Sequence, residues 1–194
     1  MKYKILKRGF ELLRTRPMNE MVSISEIEAE YGVEVPPIFR EFSKMFDVGQ
    51  VQNQVKYVYG NNREQYCGGI VYCPEGYQKD KGEVMFYNFH TLEATVSGFE
   101  DDEDWEEAGH LPIAMCGHGG AILLGTKGSE IDCILLQTMS QKVYRISNNI
   151  FDFVRDLVMI ATPEEELYEG IKYNQLYKNW GEGFWRVKKD ENSL

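Results

Sequence analysis

The sequence predicts an α+β fold in which helices flank a mostly antiparallel sheet. Between residues 110 and 146, short apolar runs alternate with turns rich in glycine, which is typical of a meander of antiparallel strands. Before and after this meander, at 24–46 and 150–161, apolar residues recur at helical spacing. Helices grouped at the ends of an antiparallel sheet define the α+β class.

The length of the chain predicts one domain. It has 194 residues, of which 43% are hydrophobic, and this is enough for a sizeable core. No internal repeat or low-complexity linker divides the sequence. We therefore expect a single domain over residues 1–194, with its core at about 23–161 and a helical, aromatic extension at 163–194.

Helices are predicted in the N-terminal part. Ser25 with Glu28 indicates a capping box at the start of one helix, and Gly32 suits its end. Pro37 suits the first turn of a second helix, which is strongly apolar on one face. Residues 3–13 also fit a short helix, although a glycine interrupts them.

The middle of the chain predicts strands separated by turns. The predicted strands are 55–59, 69–72, 84–89, 113–115, 121–124, 131–136 and 143–146. Residues 84–89 fit either a strand or the approach to a short helix.

A helix is predicted after the meander. The apolar residues of this segment lie on one helical face; they are Ile150, Phe151, Val154, Leu157, Val158 and Ala161. Ser147 and Asn148 are candidate caps, and Pro163 should end the helix.

Two ordered segments resemble the SMI1/KNR4 family, also called the SUKH superfamily. IEAEYGVEVPPIFREFSKMFDVG, at 27–49, is similar to the family's acidic helix, Leu-Pro turn and Phe-containing helix. The segment from LPIAMCGHGGAILLG to NNIFDFV, at 111–154, is similar to its Leu-Pro-Ile-Ala strand, glycine turn, later strands and final helix. Val35 and Cys116 depart from the family's usual leucine and acidic residue. The motif residues are Pro36, Pro37, Phe42, Pro112, Gly117, Gly119, Gly120, Phe151 and Phe153.

This resemblance implies a non-catalytic protein-binding domain without a cofactor. Bacterial relatives are immunity proteins that bind and block polymorphic toxins, often nucleases. Fungal relatives are instead regulatory interaction proteins linked to cell-wall synthesis. We therefore expect a basic toxin domain as the partner, with a regulatory scaffold as the alternative.

The net charge and the cysteine content limit the possible binding partners and the cellular location of the protein. The net charge of −10 argues against nucleic-acid binding, because that requires clustered Lys and Arg. No stretch approaches 18 consecutive apolar residues, and the first residues lack the apolar core of a signal peptide, so a cytoplasmic protein without a membrane segment is expected. Cys67, Cys73, Cys116 and Cys133 lack metal-like spacing and are expected to be buried, reduced thiols.

The strongest charge feature is an acidic run around one tryptophan. It consists of Glu100, Asp101, Asp102, Glu103, Asp104, Trp105, Glu106 and Glu107. Like charges at this density predict an exposed loop, and its simplest interpretation is a solvated segment that favours solubility. The functional interpretation is a site that attracts a basic partner, with Trp105 as an aromatic anchor. A calcium loop is disfavoured because the D-x-D-x-D-G spacing is missing.

The enzyme interpretation rests on Cys116 and His118. Gly117 to Gly120 resembles an esterase oxyanion-hole sequence, but the chain has no G-x-S-x-G elbow. Cys116 and His118 form a candidate hydrolase pair without a third orienting group, so a structural thiol and a turn histidine are preferred. Three scattered histidines give no metal-ligand spacing.

The C-terminal extension predicts a helix followed by an aromatic cluster. Pro163 begins it, and Leu167, Ile171, Leu176 and Tyr177 lie roughly on one helical face. The aromatic residues that follow are Trp180, Phe184 and Trp185. They either fold back onto the sheet or form an exposed surface for a partner or a homodimer.

Overall fold

The computed structural model describes residues 4–17, 23–47, 54–59, 63–74, 84–89, 107–116, 120–161, 176–179 and 184–187. Within these residues, eleven strands form one mixed sheet and two further strands form a small second sheet. Three α-helices accompany them. The predicted α+β class is confirmed.

The N-terminal segment is a strand rather than the predicted helix. β1 spans Lys4–Arg8, a 3₁₀ turn follows at Gly9–Leu12, and β2 spans Arg14–Thr15. Gly9 has φ +52, which interrupts a right-handed helix. Leu12 is fully buried beneath the turn, so tertiary packing fixes this segment.

Two helices follow, as predicted, but not with the predicted cap. α1 spans Ile24–Tyr31 and ends at Gly32, whose φ of +67 fits the expected role of this glycine. Glu28 makes no capping box. Its Oε1 accepts a hydrogen bond from the Val35 backbone N–H at 2.7 Å and pairs with the Arg40 guanidinium. Glu28 therefore fastens α1 to the segment that leads into the next helix.

α2 spans Pro37–Met45, with Pro37 at its first position as predicted. It ends at Met45, because Phe46–Asp47 forms β3 and pairs with β2. Phe39 and Phe42 are buried on its inner face.

The central strands agree with the sequence pattern. β4 spans Gln54–Tyr59, β5 spans Arg63–Tyr72 and β6 spans Val84–Phe89. β5 pairs antiparallel with both β4 and β6. Residues 84–89 form a strand, in agreement with the first of the two predicted alternatives, and the residues that follow lie outside the described ranges.

The predicted meander is present. β7 spans His110–Cys116, β8 spans Ala121–Gly125, β9 spans Ile134–Gln137 and β10 spans Val143–Ser147. Each strand pairs antiparallel with the next. The strand predicted at 131–136 begins later, because Asp132 has φ +64 and closes the turn after β8.

The helix predicted at 150–161 is wrong in its second half. α3 spans only Ile150–Arg155, and Leu157–Ala161 forms β11, which pairs antiparallel with β1 and β5. Leu157 and Met159 belong to one buried cluster, and Val158 and Ile160 to another. Because both faces of this segment are buried, it suits a strand that has apolar contacts on each face better than a helix with a single apolar face. The N-cap is Asn149, whose Oδ1 accepts the Asp152 N–H at 2.9 Å, rather than Ser147 or Asn148.

Two strands occupy the described part of the C-terminal extension. β12 spans Leu176–Asn179 and β13 spans Phe184–Val187, and they pair antiparallel. β13 continues the sheet by pairing parallel with β4. The helical interpretation is therefore wrong at Leu176 and Tyr177, where sheet pairing overrides the helical spacing.

An aromatic cluster joins the helices over the main core. Phe42 is fully buried, and its ring meets that of Phe151 edge-on at 5.5 Å and that of Phe46 at 5.2 Å. Phe153 is also fully buried and stacks on Tyr72 at 4.9 Å. These rings attach α2 and α3 to the sheet.

Asp132 caps α2 from the turn between β8 and β9. The N-cap residue of α2 is Pro36, which offers no side-chain acceptor. Asp132 Oδ1 instead accepts the backbone N–H groups of Ile38 and Phe39, both at 3.0 Å. These are two of the donors that every helix leaves unsatisfied at its start. Asp132 is 6% exposed, so water does not compete strongly for the carboxylate.

The same turn requires glycine at position 125. A Cβ on Gly125 would lie 2.1 Å from the Glu130 backbone oxygen. Gly125 N–H donates to the Cys133 carbonyl, and Asp132 N–H donates to the Gly125 carbonyl, both at 2.9 Å. This close packing holds Asp132 in place.

Replacing Asp132 by alanine should lower the free energy of unfolding by about 1–3 kcal/mol, because two buried helix donors lose their acceptor. Asp132→Asn is the matched control, since it keeps a carbonyl oxygen and tolerates positive φ. It should lose less than half as much stability in urea unfolding. Equal losses for the two variants would contradict the capping role.

Candidate functional surfaces

The acidic run lies almost entirely outside the described residues. Only Glu107 is described, and it is exposed shortly before β7. Residues 100–106, including Trp105, are outside the described ranges. The partner-binding role of this run therefore stays a prediction.

The candidate Cys116 and His118 pair is also only partly described. Cys116 is the last residue of β7 and lies opposite Phe86 of β6. Its side chain, and residues 117–119, are outside the described set. Cys73 and Cys133 are both buried, in agreement with the expectation of buried thiols at these two positions.

The other motif residues have structural positions. Pro36 is buried at the start of α2, and Pro112 is buried within β7 opposite Leu123. Gly120 is buried directly before β8. Phe151 is partly buried in the aromatic cluster. These residues build the fold and present no reactive group.

A polar groove opens where β10 meets α3. Its volume is about 380 Å³, and it is lined by Tyr72 at the end of β5, by Pro74, by residues 145–148, and by Asp152, Arg155 and Asp156. The sequence brings these groups together because α3 is short and turns the chain straight back into β11 beside β5. No local pattern indicates this groove in advance.

Ion pairs and hydrogen bonds engage the charged side chains of the groove. Arg155 contacts Asp152 at 2.8 Å and Asp156 at 3.0 Å. The hydrogen bond to Asp156 is the main reason that the pKa of Arg155 is raised. Arg145 Nη2 donates to Asn148 Oδ1 at 2.7 Å. The groove thus offers paired charges of both signs.

Tyr72 forms the floor of this groove. Its hydroxyl donates to the Ile146 carbonyl at 2.6 Å. Burial raises the pKa of Tyr72, and the negative charge of Asp156 raises it further. A phenol that stays protonated and is committed to a backbone carbonyl cannot serve as a general base. Its role is to fasten β5 to the end of β10.

Neither a metal centre nor a spanning helix is found in the described part of the chain. Its histidine, cysteine and acidic side chains form no group of three that could hold a metal ion. None of its helices has the length and apolarity that crossing a bilayer requires.

Tyr72→Phe should cost about 1 kcal/mol near neutral pH, because the hydrogen bond to Ile146 is lost. Above pH 10 the unfolded tyrosine ionises first, while the raised pKa keeps the folded phenol neutral, so wild-type stability falls. Phenylalanine cannot ionise, and the stability difference should shrink as pH rises from 8 to 11. Urea unfolding across this range measures it, and a constant difference would contradict the assignment.

Comparison with known families agrees with the resemblance noted above. The family model described as SMI1-KNR4 cell-wall, of the SUKH type, matches residues 22–154, which is well over half of the chain. No curated protein matches the chain significantly. The matched stretch contains the α1–α2 pair, the meander and most of α3. Such domains are generally non-catalytic and are immunity-like or regulators of the cell wall. The chain therefore belongs to the SMI1/KNR4 (SUKH) family.

Proposed function

We propose that this protein is a bacterial immunity protein that binds and neutralises a basic toxin domain, such as a nuclease. The observation that carries the proposal is the acidic run at 100–107 in a family member of net charge −10. A nuclease binds the phosphates of its nucleic-acid substrate in a basic cleft. An acidic protein that occupies this cleft blocks access of the substrate. Inhibition then needs no chemistry by the inhibitor.

Electrostatics supports fast recognition in this proposal. Clustered charge of one sign accelerates the association of a protein with a partner of opposite charge, and salt suppresses the effect. Trp105 supplies a large aromatic anchor within the acidic run. A cytoplasmic location accords with the buried cysteines Cys73 and Cys133.

The second candidate function is a regulatory interaction protein of cell-wall synthesis. The description of the matching family as cell-wall favours it. Deletion of the gene would then change sensitivity to agents that weaken the wall, in cells that contain no toxin. An immunity protein predicts no such change, and its loss matters only when the toxin is present.

Neutralising Asp101, Asp102 and Asp104 to asparagine should slow association with the toxin encoded beside the gene by about tenfold or more at low salt. The salt dependence of the rate should flatten as well. Surface plasmon resonance measures both quantities, and rescue of toxin-expressing cells provides the readout in vivo.

The matched control neutralises three exposed acids of the α1 region, Glu26, Glu30 and Glu34, to glutamine. It changes the net charge by the same amount and should slow association much less. Equal effects of the two triple variants would show that only overall charge matters. Failure of the wild-type protein to protect cells would overturn the immunity function itself.

A further inference from the structure

Within the described part of the chain, β10 has a free edge. It is the terminal strand of the described sheet and pairs only with β9 among the described residues. The turn before it carries Met139, which is 75% exposed. Within β10, Val143 and Tyr144 are 39% and 51% exposed. An exposed edge strand is a template for pairing with another extended chain.

The register shows which backbone groups are available. Val143 pairs with Gln137, and the Thr138 N–H donates to the Lys142 carbonyl at 2.9 Å. In an antiparallel ladder this bond marks Val143 and Gln137 as a pair without hydrogen bonds between them. The N–H and C=O groups of Val143 therefore point away from β9, and so do those of Arg145.

The free edge is basic in an otherwise acidic molecule. Residues 133–151 contain two cations, Lys142 and Arg145, and no acidic residue, whereas the whole chain has a charge of −10. Both cations are exposed. They flank the two apolar residues Val143 and Tyr144 in the sequence. The order of side chains along the edge is therefore cation, apolar, apolar, cation.

We propose that the β10 edge is a second interaction surface, which binds an extended acidic segment of a partner protein as an added strand. The partner segment that matches this edge has an acidic, an apolar, an apolar and an acidic residue in this order. The reason is that residues directly opposite each other in a pair of strands interact most strongly. Backbone hydrogen bonds to Val143 and Arg145 supply affinity, and the two cations select the partner by charge. This surface goes beyond the proposed toxin binding and does not depend on it.

A second copy of this chain is a poor occupant. Antiparallel self-pairing must set the outward residues Val143 and Arg145 opposite outward residues of the second copy. A register centred on Arg145 puts the two guanidinium groups directly opposite each other, and registers centred on Val143 or Tyr144 put Lys142 or Arg145 diagonal to its own copy, so like charges meet in each register. Lysine on an edge strand generally discourages association between identical edges. An acidic strand turns the same charges into an attraction. The adjoining polar groove, which Arg145 also lines, gives room for the residue that follows the added strand.

The test is an NMR titration of ¹⁵N-labelled protein with the extended peptide Thr-Glu-Val-Val-Glu-Thr. The amide signals of residues 142–146 should shift on addition of this peptide. The charge-reversed peptide Thr-Lys-Val-Val-Lys-Thr should bind about tenfold more weakly or worse. A peptide N-methylated at the residues that pair with the edge should not bind, because it lacks the donors.

Variants of the protein complete the test. Val143→Pro removes an outward N–H and should abolish the shifts, whereas Val143→Ala keeps the N–H and should retain them. The N-methylated peptide gives the same information if the proline variant does not fold. Absence of shifts at 142–146, or equal binding of the two charged peptides, would overturn the proposal. Concentration-dependent dimerisation that Val143→Pro abolishes would overturn it in favour of a second copy.

Discussion

The fold depends on one carboxylate that joins the helix pair to the meander: Asp132 caps α2 from the turn between β8 and β9. Pro36 and Pro37 start α2 at a fixed angle but supply neither a side-chain acceptor nor backbone N–H groups. Ile38 and Phe39 therefore rely on an acceptor more than ninety residues away. Because the cap is nearly buried, the helix pair and the meander are stabilised as a unit.

Two described surfaces of this unit differ in how their polar groups are paired. In the groove beside α3, Tyr72 donates to a backbone carbonyl, and Arg155 pairs with two aspartates, so the polar groups stabilise one another. The β10 edge instead has exposed apolar side chains and backbone groups that pair with no other strand among the described residues. The family to which the chain belongs is generally non-catalytic.

The sequence predicted those features whose signals are local. Strands separated by glycine turns, the helix stop at Gly32 and the helix start at Pro37 depend on neighbouring residues, and the structure confirms them. The prediction of a helix at 150–161 was wrong in its second half, because the burial of β11 between β1 and β5 is a tertiary effect. Asp132 and Tyr72 act on partners 94 and 74 residues away, so no short-range pattern marks them. The main candidate site, the acidic run, lies mostly outside the described residues and stays a prediction.

Hydrogen exchange at the amides of Ile38 and Phe39 tests the central claim most directly. The second and third amides of a helix with no cap are open to solvent and exchange rapidly. With Asp132 as their acceptor, both amides should be strongly protected in the native protein, at a level close to that of the core strand β8. Exchange of these two amides at the rate of unprotected backbone, while β8 stays protected, would contradict the account.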